Sequence, residues 1–255
     1  MSIEAALRTC EETVRRVDSD RYIAALFAPS ERRPLLFALY AFNHELARIG
    51  ETVKEAALGE IRLEWWSEAV EGARDGRPRA HDVARALAEV FARCGPPTAL
   101  FEAMIAARRF DVSPAESFSS LAELEAYADS TAGNLMRIAA RLLDERTPDE
   151  ALMHQAGTAY ALTGILRATS LHAARGKSFM PGGNPDAVDA VLDSALAHYR
   201  AARSRPRPGH ALAAALPASL VPLYAKHLTG KRAQQDIPLY RRQWTMLRAA
   251  MRGRV

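Results

Sequence analysis

The sequence predicts an all-α protein, on three observations. Alanine, leucine, arginine and glutamate are abundant, and these residues lose little on entering a helix. No extended run alternates apolar and polar residues with period two, so no sheet is expected. The proline- and glycine-bearing breaks are short and separate stretches of helical length.

The elements follow in order. Helices are expected over 3–17 and 19–28. Arg32-Arg33-Pro34 then opens an apolar helix over 31–48. A helix over 55–75 stops at the turn Asp75-Gly76-Arg77-Pro78. The helix over 81–94 ends at Cys94-Gly95-Pro96-Pro97, whose prolines suit the first turn of the next, over 97–110. Asp111-Val112-Ser113-Pro114 stops that one. Helices over 120–144 and 149–173 precede the loop Pro181-Gly182-Gly183-Asn184-Pro185, and helices over 186–203, 209–228 and 236–252 complete the chain. The segment Ser204-Arg205-Pro206-Arg207-Pro208-Gly209 is short for a domain linker and reads as an inter-helix loop. Residues 1–255 are therefore read as one domain.

Hydrophobic residues make up 49% and charged residues 25% of the 255, which suits a globular protein with a large core. Cys10 and Cys94 form no metal-ligand pattern and are too few for a disulfide framework, so two free thiols in a reducing compartment are expected. The N-terminus carries Glu4, Glu11 and Glu12 and lacks an apolar signal core. The longest apolar stretch, 211–225, is cut by Pro217 and Pro222, so no membrane span is expected. With 30 arginines against 4 lysines, pointing to a GC-rich genome, the expected location is the bacterial cytoplasm, with a peripheral place at the inner membrane allowed.

Charge is uneven. The tail holds Lys226, Lys231, Arg232, Arg241, Arg242, Arg248, Arg252 and Arg254 against the single acid Asp236. A basic end on a slightly acidic body suits an anionic membrane surface or an acidic protein; its plainer reading is a solvated helix face. No nucleic-acid-binding pattern accompanies the charge, so nucleic acid is not expected.

Two stretches carry chemistry. The first is Ala38-Leu39-Tyr40-Ala41-Phe42-Asn43-His44-Glu45-Leu46-Ala47-Arg48-Ile49-Gly50-Glu51. The second runs from Leu162-Thr163-Gly164-Ile165-Leu166-Arg167-Ala168 to Arg175-Gly176-Lys177-Ser178-Phe179-Met180-Pro181. Together they resemble the squalene/phytoene synthase family. Tyr127-Ala128-Asp129-Ser130-Thr131-Ala132-Gly133, Arg62-Leu63-Glu64-Trp65-Trp66 and Leu216-Pro217-Ala218 extend the likeness over roughly residues 18–230. The resemblance implies an isoprenoid-synthase-like helical bundle around a central apolar cavity. Small residues between 127 and 133 would let helices approach around it. Trp65 and Trp66 either line that cavity or pack in the core, the core reading being the stronger.

In that family the first motif carries acids at i, i+1 and i+4, which share one helical face. They hold Mg²⁺ against a diphosphate, and the metal neutralises the leaving group as the allylic C–O bond ionises. Here Ala47, Arg48 and Glu51 stand at those positions. Enlisting Glu45 does not help, because Glu45 and Glu51 point to different sides of a helix. In the second motif Ala168, Leu171 and His172 replace the family's three acids. No metal site and no cofactor are expected; Mg²⁺ enters only if synthase activity persists. Arg33, Arg167, Arg175 and Lys177 remain to bind an anion in a shared cavity, or else make surface ion pairs. Tyr40, Asn43, His44, Arg48, Glu51 and His172 complete the candidate ligand-binding set, with His172 read as a helix-face histidine and not a metal ligand.

Three functions follow. The altered motifs are similar to a branch of the family that includes a mitochondrial respiratory complex I assembly factor, which implies a non-catalytic role in assembling or scaffolding a respiratory membrane complex and subunits of that complex as partners. The second function is a prenyltransferase condensing two prenyl diphosphates. The third is a non-catalytic isoprenoid- or lipid-binding protein.

Overall fold

The computed structural model describes residues 2–53, 55–113, 117–144, 148–229 and 237–255. Pro114 of the third break, and Lys231, Arg232 and Asp236 of the basic tail, lie outside the described residues. Among those described there are helices and no strand. In chain order the helices are α1 (Ile3–Val17), α2 (Ser19–Ala25), α3 (Arg33–Thr52), α4 (Ala56–Arg74), α5 (Asp82–Cys94), α6 (Thr98–Ala107), α7 (Arg109–Val112), α8 (Leu121–Ala128), α9 (Asn134–Leu143), α10 (Glu150–Arg167), α11 (Thr169–Ala173), α12 (Val188–Ser204), α13 (Leu212–Ala215), α14 (Val221–Leu228) and α15 (Leu239–Arg252).

Helix α3 is the centre of the fold. Pro34 sits in its first turn, where the missing N–H costs nothing. Every residue from 35 to 42 is buried, so this half is enclosed on all sides, as a helix apolar all round must be. It packs against α1, α4, α5 and α9. Phe42 anchors the aromatic core, edge-on to Trp66 with ring centroids 5.5 Å apart and tilted against Phe101 at the same distance. Trp66 is buried as a core residue, in line with the stronger of its two readings. After Phe42 the burial becomes one-sided. Leu46 and Ile49 point inward, and Asn43, Ala47, Gly50 and Glu51 turn toward a cavity.

Helix α10 forms the opposite wall, packed along α12 and against α8, α9 and α14. Four expected helices depart from a plain α-helix. The stretch over 97–110 divides at Arg108 into α6 and α7. The stretch over 120–144 stays continuous but carries a π-helical turn, Asp129–Gly133, between α8 and α9. The Thr131 hydroxyl donates to the carbonyl of Tyr127 at 2.8 Å within it. This turn meets α10 at a pair of glycines: a Cβ on Gly157 would lie 2.5 Å from Gly133 Cα, so only glycine permits the approach. The small residues between 127 and 133 thus do what the resemblance implies. The stretch over 149–173 breaks at Ala168, where the Thr169 hydroxyl donates to the carbonyls of Ile165 and Leu166 and competes with the helical ladder.

The fourth is 209–228. Its prolines do not end it: short 3₁₀ turns and α13 and α14 join into one helical run, Gly209–Leu228, long and apolar enough by length and composition to cross a membrane. This corrects the expectation that prolines exclude such a run. Of its most apolar window, 67% is buried, so inside this fold it is a core element.

The last helix, α15, packs on α2 and on the Leu216–Leu220 turn, with Met246 and Ala249 buried. It is locked by Asp20, which is 4% exposed. The Asp20 carboxylate accepts hydrogen bonds from Arg242 at 2.7 Å, from the Tyr160 hydroxyl at 3.1 Å, and from the Tyr224 hydroxyl. Arg242 is therefore an inward-facing anchor and not part of an outward basic surface.

Candidate functional site

The C-terminal half of α3, the middle of α10, α7, the π turn and the segment from His172 to Phe179 enclose a cavity of about 730 Å³. Ala47, Val53, Ala132, Ala161, Ile165 and Phe179 supply apolar wall. Phe179 belongs to an aromatic group, with centroids 5.3 Å from Phe110 and 5.7 Å from Tyr127.

The polar wall is built of matched charges. Arg108 Nη1 donates to Asp111 Oδ2 at 3.0 Å and to the Tyr127 hydroxyl at 2.8 Å, and that hydroxyl donates to Asp111 Oδ1 at 2.8 Å. The three groups close a triangle. Burial disfavours the Arg108 charge, but Tyr127 and Asp111 outweigh it and hold the guanidinium above its ordinary range. Burial pushes the Tyr127 phenol well up, so it stays a neutral donor. Arg21 pairs with Asp18 at 2.7 Å and lies over the Tyr160 ring, 5.1 Å from its centroid.

Lys177 folds back from the second motif. Its ammonium donates to the carbonyls of Phe110 and Ser113 and lies 4.5 Å over the Phe110 ring. Burial lowers its pKa, and Asp111 opposes the shift. His172 packs against Phe179 with centroids 4.3 Å apart, and burial lowers its pKa too, so it is neutral at pH 7. Arg175 Nη1 reaches Glu51 Oε1 at 3.3 Å and joins the two motifs.

Of the ten candidates from the sequence, Asn43, Glu51, His172, Arg175 and Lys177 line this cavity. The other five do not. Arg33 donates to the carbonyl of Ala28 at 2.9 Å, at the start of α3 and away from the cavity. Arg167 lies over Tyr224, its guanidinium carbon 3.8 Å from the ring centroid. The expected four-cation set therefore contracts to Arg175 and Lys177, with Arg33 taken up by the Ala28 carbonyl and Arg167 by the Tyr224 ring. Tyr40 is buried behind Arg21. Arg48 faces a separate pocket of about 260 Å³ with Glu45, Trp65, Trp66 and His81. Glu45 and Glu51 thus do point to different sides. His44 lines neither space. Arg21, Arg108, Asp111 and Tyr127 were not singled out as site residues. Their signal was local: Asp18 with Arg21 and Arg108 with Asp111 are opposite charges three apart on helices.

The donor set decides whether this cavity suits the Mg²⁺ cluster that the family motifs hold. Ala47 faces the cavity where the first acid would stand, and Arg48 faces away from it. Among the described residues the carboxylates on the wall are Glu51, engaged by Arg175, and Asp111, engaged by Arg108 and Tyr127. No group of three or more His, Cys, Asp or Glu side chains converges among the described residues. Mg²⁺ prefers near-octahedral oxygen ligation with carboxylates free to bind it. These residues do not fit the cluster.

The sequence profile of squalene/phytoene synthase matches residues 14–184. The chain belongs to the squalene/phytoene synthase family. Its fold is similar to that of a dehydrosqualene synthase solved with a ligand, at a TM-score of 0.82 and 19% identity over 98% of this chain and 97% of that one. Squalene synthase HpnC from Alicyclobacillus acidocaldarius follows at 0.69 and 18% identity, over 98% and 95%. Among curated relatives, NADH dehydrogenase (ubiquinone) complex I, assembly factor 6 of Bos taurus is 31% identical over 176 residues, 68% of this chain and 52% of that protein. The Homo sapiens protein of that name is 30% identical over 174 residues, with the same coverage. The bifunctional protein CrtB/UppS of Streptomyces coelicolor is 25% identical over 215 residues, 78% of this chain and 38% of that one. The chain spans about half the length of the assembly factors it matches.

Proposed function

We propose that this squalene/phytoene synthase-family chain is non-catalytic and serves the assembly of a respiratory NADH dehydrogenase complex, with subunits of that complex as partners. One observation carries the reading. The chain keeps the family's fold and a cavity between α3 and α10, while the positions that would present its metal-binding acids are alanine, an arginine turned away, and a glutamate held by Arg175. Ionising an allylic diphosphate without paired Mg²⁺ leaves several kcal/mol of leaving-group stabilisation to be found elsewhere, which weighs against a prenyltransferase. The likeness to the assembly factors, at 30–31% identity, supports the role. No cofactor is part of this reading, and a cytoplasmic working place is.

Two measurements test it. Calorimetric titration with a non-hydrolysable farnesyl diphosphate analogue, with and without Mg²⁺, is expected to show no Mg²⁺-dependent binding; tight Mg²⁺-dependent binding would return the transferase to first place. Deletion of the gene in its own organism is expected to deplete the assembled NADH dehydrogenase complex on native gels, with rescue by the intact chain. A normal complex in the deletion strain sinks the assembly role.

A second reading rests on the cavity itself. A partly apolar wall that also carries Arg175 and Lys177 suits an amphiphile with an anionic head, an isoprenoid or other lipid held without being transformed. Binding of an anionic prenyl ligand over its neutral alcohol, indifferent to Mg²⁺, is the expected sign of it.

A further inference from the structure

Helix α15 presents two faces of different use. Met246 and Ala249 are buried against the body, and Arg242 is tied to Asp20. On the far side Tyr240, Trp244, Leu247 and Met251 are exposed, at 69%, 51%, 37% and 68%. At 100° per residue these four fall within about 60° of arc, so they form one stripe along the helix. Arg241, Arg248 and Arg252 fall together about 100° around from Tyr240, along one flank of that stripe. All three are exposed, and none makes an ion pair among the described residues. Helix α15 itself contains no Asp or Glu. Arg248 lies over the Trp244 ring, 5.0 Å from its centroid, which ties the basic flank to the aromatic stripe.

We infer that this face of α15 docks the protein on an anionic lipid bilayer, lying in the plane of the headgroups. Three features choose a bilayer over a protein partner. The cations flank the apolar stripe and do not interrupt it, which puts them at headgroup height when the stripe enters the acyl boundary. Tyrosine and tryptophan supply rings with one wet and one apolar end, the pair enriched at membrane interfaces. The charge is of one sign along the whole helix, which complements a uniform negative surface. The buried face and the Arg242–Asp20 tie keep the helix on the body, so docking needs no unfolding. The inference stands apart from the assembly role, since it concerns lipid alone.

The test is flotation of the full chain with vesicles of phosphatidylcholine, and of phosphatidylcholine with phosphatidylglycerol at a ratio of about 7:3. Binding is expected only to the anionic vesicles, falling with added salt, with a blue shift of tryptophan emission that Trp244→Phe removes. Arg241→Gln, Arg248→Gln and Arg252→Gln combined are expected to weaken partitioning roughly a hundredfold. Trp244→Ser with Tyr240→Ser is expected to do so with the melting temperature unchanged, because both side chains are exposed. Equal binding to neutral vesicles, no binding to either, or unaltered binding by the arginine variant overturns the inference. So does loss of a wild-type dimer, seen by light scattering, in the Trp244→Ser variant, which would make the face a contact between copies. The salt dependence of the unaltered chain tests the same point without any variant.

Discussion

Glu51 and Arg175 meet on the wall of the cavity, Oε1 to Nη1 at 3.3 Å. Glu51 stands at the last acidic position of the first motif, and Arg175 opens the ending of the second. The pairing turns what was a pole for cation binding into an internal ion pair, and it uses one of the cations available to an anion.

Glu51→Gln should therefore tighten, not weaken, binding of inorganic diphosphate, because it releases Arg175. The pair is partly exposed, so the change in stability should stay within about 1 kcal/mol. Isothermal titration and urea denaturation read the two quantities separately. Weaker diphosphate binding in Glu51→Gln would contradict this account.

Gly157 and Gly164 lie two turns apart on α10 and should respond oppositely to alanine. A Cβ at Gly157 would overlap Gly133, so Gly157→Ala should cost about 1–3 kcal/mol. Nothing lies within 4 Å of a Cβ at Gly164, which faces the cavity, so Gly164→Ala should stabilise by about 0.5–1 kcal/mol through helix propensity. Chemical denaturation of the two variants checks the sign of each.

Removing the anchor of α15 should be costly. Arg242→Met leaves the buried Asp20 carboxylate with the two tyrosine hydroxyls and no cation. Breaking a buried pair on one side costs about 3–5 kcal/mol, and the remaining hydrogen bonds place this case at the low end, about 3 kcal/mol. A loss of under about 1 kcal/mol on thermal melting would show that Asp20 does not depend on Arg242.

Alkaline pH should expose the environment of Cys10. Burial in α1 pushes its thiol up to about 12, with Asp82 and Glu45 adding to the shift. The unfolded chain releases this proton first, so the stabilisation is complete below about pH 9 and is lost as pH rises toward 12. The slope from this group is at most about 1.4 kcal/mol per pH unit. Cys10→Ala should flatten the pH dependence of the urea midpoint between pH 9 and 10.5; an unchanged slope would assign the alkaline loss to the buried tyrosines.

The helices were legible because their signals are local. Pro34, the Cys94-Gly95-Pro96-Pro97 break and the apolar run of α3 each act within a turn or two of themselves. The π turn at Asp129–Gly133 was not legible, because it depends on how closely α10 approaches through Gly157. Proline in 209–228 misled for a related reason: at positions 217 and 222 it falls in the first turns of successive short segments, where no N–H is needed. Five of the ten candidates line one cavity because the two motifs face it. Arg21, Arg108, Asp111 and Tyr127 were missed because the local Asp18–Arg21 and Arg108–Asp111 pairs are ordinary helix-surface spacings, and only folding sets them on a cavity wall beside Tyr127 and Tyr160.

What the sequence alone determined is therefore the helical class, the family resemblance and the replacement of acids at the motif positions. These follow from residue types and spacings, which do not depend on distant contacts. The tertiary structure decided which cations share a cavity, which carboxylates are already paired, and which face of α15 is free. Those outcomes rest on Coulombic and packing contacts that fall off within a few ångströms, between residues that only folding brings together. Arg167 and Arg175 lie in one motif, yet Arg167, the last residue of α10, lies over Tyr224, and Arg175, beyond the break at Ala168, meets Glu51.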